Sequence, residues 1–438
     1  MGSSGLRIGL VIHELLTSGG TERQCLSLAR ELRKQGNEVT VITTAYDPER
    51  CYPGLAADLV VRIAGPGWFP RLRRPLLLRR LLDMYRLSQV VLADQATLQY
   101  DILNAHHWPP HWAAVWAKRR VPHPVVWACN DLPSAWLNQV RGVWGALRRL
   151  AYRPVHRFDY SLVRRVDRIT VLDQRMAELV AHSYHGATVK VIRTGIDLEK
   201  FAAIPTDLPI RSRHGLRRDS YLLLCLGILM PHRRIEDVIE AVKLLRDQNL
   251  DTQLLIAGST EIDPAYTRIL RKLVGRLQLS NNVHLIGGIS EAQIADYYRA
   301  CDAFVFPNEE QTWGLAVIEA MAVGKPVIVS TGSGVHEVIQ DGVTGFLIPS
   351  RSPSSIATIV RHLADHPAIA AGVAEAGRTY VVANFSWGRY AEDMLSVFAE
   401  LLDAGDGGRS EGRSQADGQT TGSQIANRRS SSGSSPES

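Results

Sequence analysis

The chain has 438 residues, 45% of them hydrophobic and 21% charged, enough for two ordinary domains and too evenly mixed for a fibrous or wholly disordered protein. Fifty Lys and Arg stand against 44 Asp and Glu, and a net charge of +6 is too small an excess to point to nucleic acid. The five cysteines, Cys25, Cys51, Cys129, Cys225 and Cys301, are scattered, form no CxxC pair and leave one that cannot pair within the chain, which fits a reducing compartment.

Met1–Gly5 are set outside the fold. From Leu6 the pattern predicts a strand at Ile8–Ile12, a turn at Ser18-Gly19-Gly20, a helix with apolar residues at Cys25, Leu28, Ala29 and Leu32, and a strand over Glu38–Ile42. This βαβ start favours a parallel sheet, and further strands are predicted at Val90–Ala93, Ile102–Ala105, Val125–Ala128 and Ile169–Leu172. After Gly195-Ile196-Asp197 the rhythm breaks, and Pro205, Pro209 and the polar stretch Arg211–Ser220 read as a connector. A second α/β series follows, with strands at Tyr221–Leu226, Gln253–Ala257, Val283–Ile286, Ala303–Phe306 and Pro326–Val329 and helices such as Ile235–Leu245 between them. Two doubly wound domains facing each other would hold a ligand in the crevice at their strand carboxyl ends.

The last predicted helix, Trp387–Leu402, carries an apolar stripe of Tyr390, Met394, Val397, Phe398 and Leu401 that needs a partner surface. Residues 403–438 hold 7 Gly and 9 Ser with Ile425 as the one large aliphatic, a composition expected to stay disordered. No run of about 18 apolar residues occurs, and the N-terminus passes straight into a strand. Neither a membrane span nor a secretory signal is therefore expected, and the chain is placed in the cytoplasm.

The stretch Phe304–Val329, FVFPNEEQTWGLAVIEAMAVGKPVIV, is the most informative. A strand ends at Pro307, a polar loop follows, and Trp313-Gly314 opens a helix carrying Glu319. Backbone amides at such a helix start form an anion site. Gln311 and Glu319 would lie roughly 12 Å apart if both were helical, a span that suits two ends of one extended ligand such as a nucleotide sugar.

Here the sequence resembles glycosyltransferase family 4, the retaining transferases of GT-B fold, over residues 6–402. The stretch is similar to the family's E-x7-E element and the EAMA-x-G-x-PV run that follows it, matched by Glu319-Ala320-Met321-Ala322 and Gly324-Lys325-Pro326-Val327. Supporting matches are Gly19-Gly20, Gly195-Ile196-Asp197, Gly334-Val335-His336-Glu337-Val338, Asp341-Gly342 and Thr344-Gly345-Phe346. The resemblance implies two Rossmann-like domains, 6–200 on the acceptor side and 201–384 binding the nucleotide sugar, with a helix at 385–402 crossing back onto the first.

It also implies roles. Glu319 would accept from both ribose hydroxyls of the donor, the alternative being a solvated helix glutamate. The first Glu of the motif falls on Gln311, a departure that leaves a neutral contact to the transferred sugar, with the adjacent Glu309 and Glu310 as sources of charge after a register shift. In Gly227-Ile228-Leu229-Met230-Pro231-His232-Arg233-Arg234 the family's arginine after the glycine is replaced by Ile228, while Arg233 takes the position of its lysine. Arg233 would steady the departing diphosphate, with Arg234 and His232 behind it.

Gly19 and Gly20 would let backbone approach the diphosphate, and Trp313, Gly314 and Leu315 would meet the donor at the helix start. Gly288 and Ile289 would meet the base, and Glu337 the sugar hydroxyls. One of His106 and His107 would stand in the cleft, and Asn130, at the place of a further family histidine, would hydrogen-bond the sugar. No cofactor and no metal are implied; the donor would be a UDP- or GDP-sugar carrying a hexose or N-acetylhexosamine.

Two stretches carry the basic excess: seven Arg against Asp83 in Arg62–Arg86, interleaved with Trp68, Phe69 and leucines, and eight Arg against two Asp in Arg141–Arg168. They read equally as an anionic-membrane docking surface, with a lipid-linked or glycan acceptor, and as helices with solvated arginines. Other readings are a non-catalytic nucleotide-sugar binder, a sugar-nucleotide 2-epimerase of the same architecture, and a dinucleotide oxidoreductase, the last disfavoured because the first turn lacks G-x-G-x-x-G.

Overall fold

The computed structural model describes residues 5–17, 19–65, 76–132, 142–202, 210–309 and 313–422. The first half of the chain supplies β1 (Arg7–Val11), β2 (Glu14–Leu15), α1 (Gly20–Lys34), β3 (Glu38–Thr43), β4 (Ala45–Tyr46), β5 (Val60–Ile63), α2 (Leu76–Gln95) and β6 (Ile102–His106). Then come α3 (His111–Lys118), β7 (Val125–Ala128), α4 (Gly142–Val163), β8 (Arg168–Val171), α5 (Gln174–Ser183) and β9 (Val189–Val191). Seven of these strands form a parallel sheet in the order β5-β3-β1-β6-β7-β8-β9, and β2 pairs with β4 apart from it.

Short helices α6 (Leu198–Ala202) and α7 (Ile210–Arg213) lead into β10 (Tyr221–Leu226), α8 (Ile235–Asp247), β11 (Thr252–Ala257), α9 (Pro264–Arg276) and β12 (Val283–Gly287). The series continues with α10 (Ile294–Ala300), β13 (Ala303–Phe306), α11 (Leu315–Ala322), β14 (Val327–Ser330), β15 (Phe346–Ile348), α12 (Pro353–Asp365), α13 (Pro367–Asn384) and α14 (Trp387–Gly422). The second sheet is parallel in the order β12-β11-β10-β13-β14-β15. Its central strands are continuous apolar runs, such as Leu222 to Cys225, because helices cover both faces of a parallel sheet.

Each sheet carries an apolar core on either side. The final helix contributes to the first domain: Tyr390, Ala391, Met394, Val397 and Phe398 join Cys25, Leu28 and Leu32 of α1 in one buried cluster. The chain crosses between domains twice, and the two crossings touch where Ile196 bridges Ser386.

Two expectations are corrected. Val90–Ala93 lies within α2, whose Met84, Leu87 and Val91 are buried at helical spacing. Four consecutive apolar residues fit a strand or a buried helix face equally well. The final helix extends to Gly422 rather than ending at Leu402; residues 403–422 contain no proline, and glycine only weakens a helix, by about 1 kcal/mol relative to alanine. The rest of the expected tail, 423–438, lies outside the described residues. Five strands escaped the pattern: β2 and β4, two residues each and too short to carry one, and β5, β9 and β15, which lie at sheet edges and are only partly buried, so they lack the apolar run that marks the centre.

Candidate active site

An open parallel sheet binds ligands beyond its strand carboxyl ends, where the strand order reverses. In the second sheet that reversal lies between β10 and β13. Leu226 at the end of β10, Gly227 after it and Phe306 at the end of β13 line a cavity of about 390 Å³. Its opposite wall comes from the first domain: Gly20, Thr21 and Gln24 of α1, Asn130 beyond β7, Leu172 and Thr194.

Arg233, Trp313, Gly314, Leu315, Ala316 and Glu319 complete the lining. Helix α11 has no side-chain cap among the described residues, and its first turn can present backbone amides to an anion. A Cβ at Gly314 would stand 2.9 Å from the Phe306 ring and from Val335, so this close seating of helix on strand requires glycine.

Arg233 closes a short 3₁₀ turn, Pro231–Arg233, with its guanidinium against Gly227, where a Cβ would lie 3.4 Å from Nη1. Burial pushes its pKa down to about 10. Its Nε is buried without a hydrogen-bond partner among the described residues, as are Trp313 Nε1 and Thr194 Oγ1. Buried polar groups are ordinarily paired, and three orphans around one cavity, one of them on a cation, suit a polar anionic ligand.

Glu319 is buried on α11, and both carboxylate oxygens are held. Tyr298 donates its hydroxyl to Oε2 at 3.0 Å, and Arg23 Nη1 of α1 donates to Oε1 at 3.2 Å from the other domain. A relay reaches the cavity from the C-terminal helix: Gln24 donates Nε2 to the Tyr390 hydroxyl at 2.9 Å, and its Oε1 accepts from Asn130 Nδ2 at 2.5 Å. Arg23, Gln24, Thr194, Tyr298 and Tyr390 were not singled out from the sequence as site residues. Each acts through a partner distant in the chain, a relation that spacing does not reveal.

Of the expected site residues, Gly20, Arg233, Trp313, Gly314, Leu315, Glu319 and Asn130 come together at this cavity. Gly19 stands one residue back as the N-cap of α1, its carbonyl accepting from the Tyr52 hydroxyl at 3.0 Å. Gln311 and Glu310 lie outside the described residues, and Glu309 is ion-paired with Arg351 at 2.9 Å.

Others are placed elsewhere. Arg234 adopts a left-handed backbone, φ 51°, and its guanidinium is engaged by Glu236 and Asp237 at 2.6 Å each, which removes it from the cavity. Ile289 packs against the second domain's core, and Gly288 is exposed, away from the cavity lining. Glu337 accepts from the backbone amides of Gln174 at 2.9 Å and Arg175 at 3.3 Å, so it caps α5 across the interface.

His106 is fully buried at the end of β6, both ring nitrogens lack partners among the described residues, and burial pushes its pKa down to about 3, so it is a neutral residue enclosed in the core. His107 is absent from the cavity lining; it turns with φ 65° toward Arg80 and His13, and burial, helped by their charge, lowers its pKa to about 4. All five cysteines are free and buried. Among the described residues no group of three or more His, Cys, Asp or Glu is arranged to hold a metal ion.

Two family models match the chain, one described as Glycosyltransferase Family 4 over residues 18–200 and one as Glycosyl transferases group 1 over 208–380. The chain is 25% identical over 395 residues to the D-inositol 3-phosphate glycosyltransferase of Streptomyces avermitilis, covering 88% of this chain and 84% of that one. It is 28% identical over 403 residues to the protein of the same name from Kineococcus radiotolerans, covering 88% and 91%. Among solved structures it is similar in fold to Anabaena Alr3699/HepE in complex with UDP, with TM-score 0.72, 18% identity and coverage of 90% and 100%. It is likewise similar to sucrose-phosphate synthase from Thermosynechococcus elongatus, with TM-score 0.70, 22% identity and coverage of 91% and 100%.

Proposed function

The chain belongs to the group 1, family 4 glycosyltransferases of GT-B fold and is a transferase, and from that premise we propose that it moves a hexose or N-acetylhexosamine from a UDP- or GDP-sugar to an acceptor, with retention of configuration. The observation that carries the donor reading is the convergence of Gly20, Arg233 and Glu319 on one cavity between the domains. Glu319 would accept from the ribose hydroxyls, and the diphosphate would lie between Gly20, the first turn of α11 and Arg233. As the sugar leaves, negative charge accumulates on the departing phosphate; the buried Arg233 guanidinium, its Nε unpaired among the described residues, would meet that charge more strongly than it meets the ground state. The leaving phosphate would take the acceptor proton on the same face, so the chemistry does not depend on His106. This arrangement favours an active transferase over a non-catalytic binder, and the two family matches favour transfer over epimerisation.

The acceptor would be a glycan or a lipid-linked sugar. The named relatives favour a second reading, a small phosphorylated polyol, which the half-buried Arg80, 4.9 Å over the Trp108 ring and beside His107, would suit. The protein would work in the cytoplasm, where five free thiols persist, docked on an anionic membrane surface through groups such as the exposed Leu78, Arg79, Leu150, Arg153 and Arg157. No helix among the described residues is long and apolar enough to cross a membrane.

Thermal-shift screening against UDP-, GDP-, ADP- and dTDP-sugars and the free nucleotides, followed by hydrolysis and transfer assays, tests the donor reading. A nucleotide-specific rise in melting temperature with turnover is expected; no rise with any nucleotide refutes the site. Flotation with anionic vesicles tests docking, and binding that is not salt-sensitive removes it.

A further inference from the structure

Arg23 joins the two domains inside the crevice. It belongs to α1 of the first domain, yet its guanidinium is held by two carboxylates of the second. Nη1 lies 3.2 Å from Glu319 Oε1, and Nη2 is paired with Glu291. The Tyr52 ring packs against the guanidinium with its centroid 5.1 Å away. Only 12% of the Arg23 side chain and 7% of that of Glu319 are exposed. This contact spans the two domains.

An ionised carboxylate offers about four acceptor positions. Arg23 occupies one on Oε1 and Tyr298 one on Oε2, so each oxygen keeps capacity for a further donor. The contact also stands between two cavities: Glu319 lines the one of about 390 Å³, and Arg23 lines another of about 940 Å³ that runs past Glu291 to Trp387. Stability alone gives little reason for such a pair, because a buried ion pair contributes little net stability over apolar packing. Helix α1 is moreover already anchored by Cys25, Leu26, Leu28, Ala29 and Leu32.

We propose that Arg23 is a positioning residue for donor binding: reaching from the first domain, it orients the Glu319 carboxylate to accept from two vicinal hydroxyls of the nucleotide's ribose. This rests on the reading of Glu319 as the ribose acceptor.

The test is calorimetric titration with whichever of UDP, GDP, ADP and dTDP most raises the melting temperature of the wild-type chain. Arg23→Ala weakens that binding about 10- to 100-fold, the range for losing a hydrogen bond to a charged group. Arg23→Lys recovers part of the loss, and Arg23→Gln, which keeps the bulk, shows a loss like that of Arg23→Ala with an unchanged melting temperature of the free protein. In transfer assays the donor KM rises while kcat stays within about threefold, as for an interaction shared by ground and transition states. Because Arg23 acts through Glu319, Arg23→Ala adds less than about threefold in a Glu319→Gln background.

Wild-type affinity in Arg23→Ala, or losses that multiply in the double variant, overturns the role of Arg23 while leaving the donor site standing. A wild-type chain that binds none of the nucleotides overturns the donor site and this role with it.

Discussion

Arg233→Ala separates a leaving-group cation from a structural one, because the two roles move stability and activity in opposite directions. The guanidinium is desolvated, its Nε unpaired among the described residues, and burial pushes its pKa down to about 10. One pKa unit corresponds to about 1.4 kcal/mol, so burying this charge costs the fold roughly 3 kcal/mol. The lowered value belongs to a base, so the penalty is fully present below the folded pKa and disappears only above the unfolded one; neutral pH carries all of it. Alanine removes the charge and leaves no partner stranded, and the nucleotide-free variant should melt no lower than wild type. Turnover should behave oppositely. Losing one preorganised donor at a developing anion costs about 10²- to 10³-fold, here mainly in kcat. Differential scanning calorimetry without ligand and steady-state donor kinetics, run on the same preparations, give both numbers. A variant that melts several degrees lower yet keeps kcat/KM within threefold would refute the assignment, and Arg233 would then be a packing residue.

His106→Leu should keep kcat/KM within about threefold, since the ring is fully buried, neutral and without partners to strand; a hundredfold loss with an intact melting temperature would restore it as a reacting group. Burial raises Asp173, the N-cap of α5, to about 6 from 3.8, so its charged form is disfavoured in the fold. The cost is absent below about pH 4, grows from pH 4 to 6 and is complete above it, roughly 3 kcal/mol in all. Asp173→Asn keeps an oxygen for the Met176 amide and should flatten that stretch of the stability curve in urea melts; parallel curves for variant and wild type would count against it. Met394→Ala, fully buried between α14 and α1, should destabilise by about 2–5 kcal/mol, and a change below 0.5 kcal/mol in denaturant unfolding would show that the helix does not share the first domain's core.

The doubly wound architecture could be read in advance where strands are central: Leu222–Cys225 and Ala303–Phe306 are apolar runs that only a sheet covered on both faces can bury. The Gly314 turn and Glu319 were legible for a similar reason, because a glycine at a helix start and a carboxylate in an apolar helix each conflict with local preference unless a ligand or close packing resolves the conflict. What escaped notice was relational. Arg23 and Glu319 are 296 positions apart, and an arginine in the first turn of an amphipathic helix looks like any solvated one until the second domain is set against it. Glu337 shows the converse, for its loop carries family-like glycines while the side chain satisfies the open amides of a helix in the other domain. Adjacent Arg233 and Arg234 are chemically alike in sequence. A left-handed backbone at Arg234 sends that side chain to Glu236 and Asp237 and leaves Arg233 against Gly227.

The seating of the last helix against α1 has a consequence for biosynthesis. The bond between Gln24 and Tyr390 joins residues 366 apart, and the cluster of Met394, Val397 and Phe398 fills the same core as Cys25 and Leu28. A ribosome adding 5–20 residues per second needs roughly 20–70 s to deliver the second partner after the first. During that interval the nascent first domain presents an uncovered apolar groove along α1, while the second domain, whose elements are nearly contiguous in the chain, has everything it needs to complete itself. The domain made first is therefore the domain finished last.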